Sequence, residues 1–168
     1  MLKKSLNEFN NFFEKINNEW AILTVGDRQN GLNGMTVSWG GIGVLWNKNV
    51  CFVFVRHSRY TFELLEKTDS VTLSFLSDKY KEDKVLFGTK SGRDIEKFEA
   101  SNLHPTLDVD FNGYYVAEAS QVIKGKKIYS IDMPYDTLPA EIKEASYAKG
   151  DMHRMYVIEI KQYLDNEE

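Results

Sequence analysis

Hydrophobic positions in this chain recur mostly at period two, the spacing of a half-buried strand. Val71 to Leu76 alternates cleanly and predicts a strand. In Met35 to Trp39, alternation places Met35, Val37 and Trp39 on one face and Thr36 and Ser38 on the other. Trp20 to Val25, Ile42 to Trp46 and Met155 to Ile160 read as further short strands. Val50 to Val55 is apolar at every position, which predicts a strand buried on both faces. Residues 113–120 and 121–132 add strands, the latter broken by a hairpin turn at Lys124 to Lys127. Elsewhere the period lengthens. Leu6, Phe9, Phe12, Phe13 and Ile16 share a helical face across Ser5 to Asn17. Helices are also predicted over Tyr60 to Lys67, Asp78 to Phe87, Ile95 to Ser101 and Pro139 to Tyr147. Gly26 to Gly31 and Asn47 to Asn49 read as turns, and Gly40, Gly41 and Gly43 let the backbone bend or approach a neighbour. The tail from Asp165 to Glu168 is expected to fray. Six to eight short strands with helices inserted between them predict one mainly β domain over 1–168. The architecture that suits them is an antiparallel Greek-key β-barrel. Strict βαβ alternation and a GxGxxG turn are missing, which argues against a Rossmann domain.

Composition narrows the function. The 168 residues suit a single domain able to bury about 70% of its unfolded surface. A net charge of −4 argues against general nucleic-acid or anionic-membrane binding. No apolar run approaches the roughly 20 residues of a membrane helix, and the N-terminus has no signal-peptide pattern. A cytoplasmic protein is expected. The single cysteine, Cys51, excludes an internal disulfide and reads as a small buried hydrophobe. No CxxC or Cys/His pattern suggests a metal site. A GxSxG elbow and a Ser/His/Asp series are both missing, so a hydrolase is not indicated.

Against the acidic balance stands a local cluster. Arg56, His57, Ser58, Arg59, Tyr60 and Thr61 lie between a strand and a predicted helix start. Unpaired helix N–H groups, with arginine forks beside them, suit a phosphate. On these residues alone, solvated or salt-bridged arginines fit equally well. Gly88 to Asp94 (GTKSGRD) repeats the arrangement, a Gly/Ser/Lys/Arg loop before the helix predicted from Ile95. It is not a Walker A motif, and helix capping by Ser91 or Asp94 would also explain it.

NGMTVSWG (Asn33 to Gly40), RHSRYT (Arg56 to Thr61) and GTKSGRD, in this order, resemble the flavin reductase-like proteins, FMN-binding split barrels, and within them the flavoredoxin-like branch. The likeness runs from about Trp20 to Ile160. It implies that Asn33, Met35, Thr36, Val37, Ser38 and Trp39 lie along the isoalloxazine ring of FMN. It implies that Arg56, His57, Ser58, Arg59 and Thr61 hold the phosphate, helped by Lys90, Ser91 and Gly92. His57 is a secondary contact among these. Backbone and hydroxyl groups of Met35 to Ser38 would donate to the ring, with Trp39 or Trp46 walling its edge. Such proteins often carry a Gly-Asp-His element on the nicotinamide side of the flavin. Here Met152 separates Asp151 from His153, so the match is shifted, and His153 is the candidate catalytic residue. The implied activity is an NAD(P)H-dependent flavin reductase, fed by NADH or NADPH. The alternative is a non-enzymatic FMN electron carrier with a redox partner protein. A homodimer is implied in either case.

Overall fold

A computed structural model describes residues 1–166. Its main sheet contains β2 (Ala21–Asp27), β3 (Gly31–Val37), β4 (Gly40–Leu45), β5 (Lys48–Arg56), β6 (Ser70–Phe75), β9 (Gln121–Asp132) and β10 (His153–Asp165). These pair in the order β3-β2-β6-β9-β10-β5-β4, and a short β1 (Leu2–Lys4) adds to β10. Strands β7 (Pro105–Asp108) and β8 (Gly113–Val116) form a separate ribbon. Every pairing is antiparallel. β5 and β6 follow one another in sequence but lie apart in the sheet, separated by β10 and β9. The class is therefore the expected one: mainly β and antiparallel, with helices between strands.

Burial explains why the sheet coils. Leu23 and Val25 of β2, Val53 and Val55 of β5, Leu73 and Phe75 of β6, and Tyr156 and Ile158 of β10 meet in one core. On the other side of β2, Ile22 packs against Leu76, Phe87, Leu103 and Val116, with Phe98 beside them. That second cluster seats α3 (Lys81–Thr89) and the turns after it against the sheet. α2 (Tyr60–Leu65) buries Thr61, Leu64 and Leu65.

Several expected elements differ. The N-terminal helix is broken: Asn11 adopts a left-handed φ of 53°, and only a short α1 (Phe12–Glu14) follows, widening into a π-turn to Glu19. Phe13 consequently points outward at 90% exposure, while Phe9 and Ile16 reach the core. The strand from Met35 stops at Val37, so Trp39 leaves the core face. Phe52 and Phe54 are half-buried rather than enclosed, because that face of β5 lies outside the core. β9 runs unbroken through Lys124 to Lys127. Its Gly125 permits close strand approach: a Cβ there would lie 2.5 Å from Ile158 Cγ2 and 2.6 Å from the Glu159 carbonyl oxygen. The three lysines are anchored, Lys124 on Asp108, Lys126 on Ser70 and the Phe111 carbonyl, and Lys127 on the Leu65 carbonyl. Asp165 belongs to β10 and is buried, while Glu167 and Glu168 of the expected frayed tail lie outside the described residues. No regular helix forms over 95–101, where the backbone makes a series of turns.

Candidate functional site

β3 is an edge strand, so alternate N–H and C=O groups on its outer side have no ladder partner. The Gly34 carbonyl on that side accepts from Lys97 Nζ at 3.0 Å. Two residues on, the backbone of Thr36 faces the same way. A cavity of about 200 Å³ opens there. Met35, Thr36, Val37, Ser38 and Trp39 form one side, and Phe54, Arg56, Arg59, Gly88 and His153 complete it. β5 and β10 place Arg56 and His153 directly opposite each other as a register pair.

Most polar side chains here already have partners. Thr36 Oγ1 donates to the Lys84 carbonyl at 2.5 Å, so its proton is not free for a ligand. Arg56 donates to the carbonyls of Asp151 (2.6 Å) and Ser146 (3.0 Å), and its guanidinium lies 5.2 Å from the Tyr147 ring centre. His153 shares a 2.7 Å hydrogen bond with the Tyr147 hydroxyl through Nδ1. Burial, then the nearby Arg56, pushes the His153 pKa down to about 4, against the opposing pull of Asp151. The imidazole is therefore neutral across the physiological range. Trp39, 49% exposed, holds its ring 5.3 Å from that of His153. Ser38 keeps a hydroxyl without a protein partner among the described residues.

A second cavity of about 400 Å³ adjoins the first, and Arg59 lines both. Its walls carry four cations, Arg59, Lys90, Arg93 and Lys97, against one carboxylate, Asp94. Asn33, Ser58, Tyr60, Thr89 and Ser91 supply the rest. Arg59 donates to the Gly88 and Phe87 carbonyls at 2.8 and 3.0 Å. Lys97 Nζ reaches the same Phe87 carbonyl at 3.0 Å. The two cations thus cap the C-terminal end of α3, where carbonyls carry partial negative charge. Burial, then Arg59, lowers Lys97 to a pKa of about 8. Arg93 is braced by Glu63 and the Ser58 carbonyl, while Lys90 is exposed and has no side-chain partner among the described residues.

The structure brings together Met35 to Trp39, Arg56, Arg59 and His153 around the first cavity, and Asn33, Ser58, Arg59, Lys90 and Ser91 around the second. Three expected contacts lie elsewhere. His57 turns away to Asp132 at 2.7 Å and lines neither cavity. Thr61 is fully buried and accepts from Asn33 Nδ2 at 2.9 Å. Gly92 sits behind the cleft, so close that a Cβ would lie 2.3 Å from Asn33 Oδ1. Arg56 belongs to the first cavity, not to the cationic one. The GTKSGRD stretch begins in the last turn of α3 and runs on into turns instead of opening a helix, so its attraction for anions comes from side chains. Ser58 is also engaged: its N–H and hydroxyl donate to the Asp151 carboxylate at 3.2 and 2.7 Å. Phe54 and Lys97 carried no signal in the sequence. Arg93 did, inside GTKSGRD.

A backbone-edged trough joined to a tetracationic pocket fits an elongated ligand with a flat ring at one end and an anion at the other. The flavin reductase-like domain pattern matches residues 13–167. The chain belongs to the flavin reductase-like family. Among curated proteins there is no match. Among solved structures, flavoredoxin of Desulfovibrio vulgaris (Miyazaki F) superposes with a TM-score of 0.69 at 22% identity, covering 99% of this chain and 78% of that one. An FMN-binding protein from Thermus thermophilus with bound p-hydroxybenzaldehyde gives 0.70 at 17% identity, covering 99% and 82%. The NADH:FAD oxidoreductase SgcE6 of Streptomyces globisporus C-1027 gives 0.65 at 14%, covering 88% and 74%. At these identities the likeness carries the family's split-barrel fold.

Proposed function

We propose that the chain is an FMN-binding oxidoreductase, an NAD(P)H-dependent flavin reductase. The observation that carries this reading is the pair of adjoining cavities with Arg59 common to both. Four cations against one carboxylate in a chain of net charge −4 are useful to a phosphate-bearing ligand. Riboflavin alone would leave them unused. The first cavity offers what the ring end needs: edge-strand backbone donors, apolar walls at Met35, Val37 and Phe54, and no carboxylate. FMN, when bound, supplies the hydride chemistry. The protein's part is to hold the ring, to exclude water with Trp39 and Phe54, and to present His153 as an uncharged hydrogen-bonding group.

The homodimer is part of the same proposal. Strand register puts Phe52 and Phe54 of β5 beside Val157 and Met155 of β10, and these beside Tyr129 and Ile131 of β9. Tyr129 and Ile131 are 43% and 47% exposed, and Trp46 stacks edge-on against Tyr129 at 5.8 Å. Val157 is itself buried, and the exposed Trp46, Tyr129 and Ile131 beside it are suited to a second copy of the chain. This face reaches the ring cavity through Phe54. Sedimentation of the FMN-loaded protein is expected to give a dimer of the 19.4 kDa chain.

A non-enzymatic electron carrier is the second reading, favoured by the flavoredoxin likeness over 99% of the chain. Anaerobic addition of NADH, then NADPH, to the FMN-loaded protein separates the two. Bleaching of the flavin absorbance by either is the expected result. No bleaching by either, with FMN bound, would move the carrier ahead.

A further inference from the structure

α4 (Ala140–Tyr147) is held to the fold by little apolar burial, and Tyr147 is its one buried residue. Ile142, its large apolar side chain, is 41% exposed. Polar contacts at its C-terminal end tie α4 down instead. Arg56 bonds the Ser146 carbonyl and lies over the Tyr147 ring, and the Tyr147 hydroxyl meets His153 Nδ1 at 2.7 Å in a buried contact.

That contact decides where the imidazole proton sits. The Tyr147 hydroxyl has no other partner among the described residues. If Nδ1 carried the proton, the phenol hydrogen would be buried with nothing to receive it, which is unfavourable. The phenol therefore donates, Nδ1 accepts, and a neutral imidazole holds its proton on Nε2. Nε2 has no protein partner among the described residues, and His153 lines the ring cavity beside Trp39.

We propose that Tyr147 is a positioning residue: it fixes His153 as the Nε2–H tautomer, so that Nε2–H is a donor into the ring cavity. The matching ligand chemistry is an acceptor atom on a flat heteroaromatic ring that gains negative charge as the ring is reduced, so that the donor is felt in the rate more than in binding. The ligand half of this inference rests on the flavin-site reading above; the tautomer half does not. The charged and titratable groups facing His153 are Arg56 and His57 at the end of β5, Asp151 in the preceding turn, and Tyr147 on α4.

The test uses Tyr147→Phe, which keeps the ring under Arg56 and removes only the hydroxyl. ¹⁵N-histidine spectra of the cofactor-free full chain are expected to show one His153 tautomer, with Nε2 protonated and Nδ1 bearing the shift of a hydrogen-bonded acceptor. In Tyr147→Phe that Nδ1 shift is lost. A wild-type spectrum with Nδ1 protonated, or ¹⁵N shifts unchanged in the variant, would overturn the proposal. In the FMN-loaded protein, the variant's maximal rate of flavin reduction by NAD(P)H falls about 10-fold, one hydrogen bond's worth. FMN affinity and nicotinamide KM stay within about 2-fold. An equal loss of FMN affinity would show that the residue serves only packing, as would the same rate loss in Ile142→Ala, which alters α4 without touching His153. A protein that takes no flavin would defeat the function proposed above and leave the spectra to decide Tyr147.

Discussion

In the smaller cavity, Thr36, Arg56 and His153 each face the site with a hydrogen bond already made inside the protein. In the larger one, the Lys90 ammonium has no partner among the described residues, and Lys97 has a donor left after serving two carbonyls. The same residue types thus do different work a few ångströms apart. Arg56 braces the Ser146–Asp151 segment, whereas Arg59 and Lys97 cap α3 and still face a pocket with three cations in excess. A flat, mostly neutral ring is best held by a rigid trough whose groups cannot rearrange, and an anion by donors kept in surplus. On this comparison, changes in the larger cavity should separate FMN from riboflavin, and changes in the smaller one should not.

Gly92→Ala gives the largest separation. Its Cβ would fall 2.3 Å from Asn33 Oδ1 and 2.9 Å from Tyr60 Cδ1, forcing away the loop that carries Lys90, Ser91 and Arg93. Overpacking of this kind costs about 1–3 kcal/mol of stability. With two charged contacts displaced at about 1.5–3 kcal/mol each, FMN affinity drops more than about 100-fold. Parallel thermal melts and flavin-fluorescence titrations would check both figures, and an unchanged FMN affinity would place the phosphate elsewhere. Arg59→Ala comes next, with FMN weakened about 10–150-fold and riboflavin much less. Because Arg59 also caps α3, its melting temperature falls too. Equal weakening for the two flavins would sink the phosphate assignment.

A pH series makes a finer cut. Lys97 loses its proton near pH 8, mainly because it is buried, and an ordinary lysine does so near 10.5. A phosphate nearby favours the charged form, so FMN binding above pH 8 takes up a proton. FMN affinity should therefore decline as pH rises past 8, approaching 10-fold per pH unit, while riboflavin affinity stays level. Identical profiles for both flavins would remove Lys97 from the anion site.

What the sequence made legible follows the same divide. Met35 to Val37 form the strand that period two predicts, but residues of both faces line the smaller cavity, because the chain leaves the strand after Val37. Trp39 leaves its expected face, because β3 ends two residues earlier and releases the ring toward His153. The cationic pocket is visible as charge but not as geometry. RHSRYT holds two arginines of equal promise; only the partners supplied by distant segments send Arg56 to Ser146 and Asp151, and Arg59 to α3. His57 goes to Asp132 and Ser58 to Asp151 for the same reason. Lys97 was hidden because residues 95–101 look helical in isolation, yet Phe98 and Leu103 pull them into turns against β2 and α3. The unbroken β9 is a further case: Lys124 to Lys127 resembles a turn until Asp108, Ser70 and Leu65 supply partners for its cations.

On the function proposed above, the larger cavity takes the phosphate of FMN. Titrating the wild-type protein with FMN and with riboflavin at low salt tests it most directly. FMN binding at least about 10-fold tighter is expected, corresponding to one or more charged contacts, with the gap narrowing as salt screens the cations. Equal affinity for the two flavins at every salt concentration would contradict it.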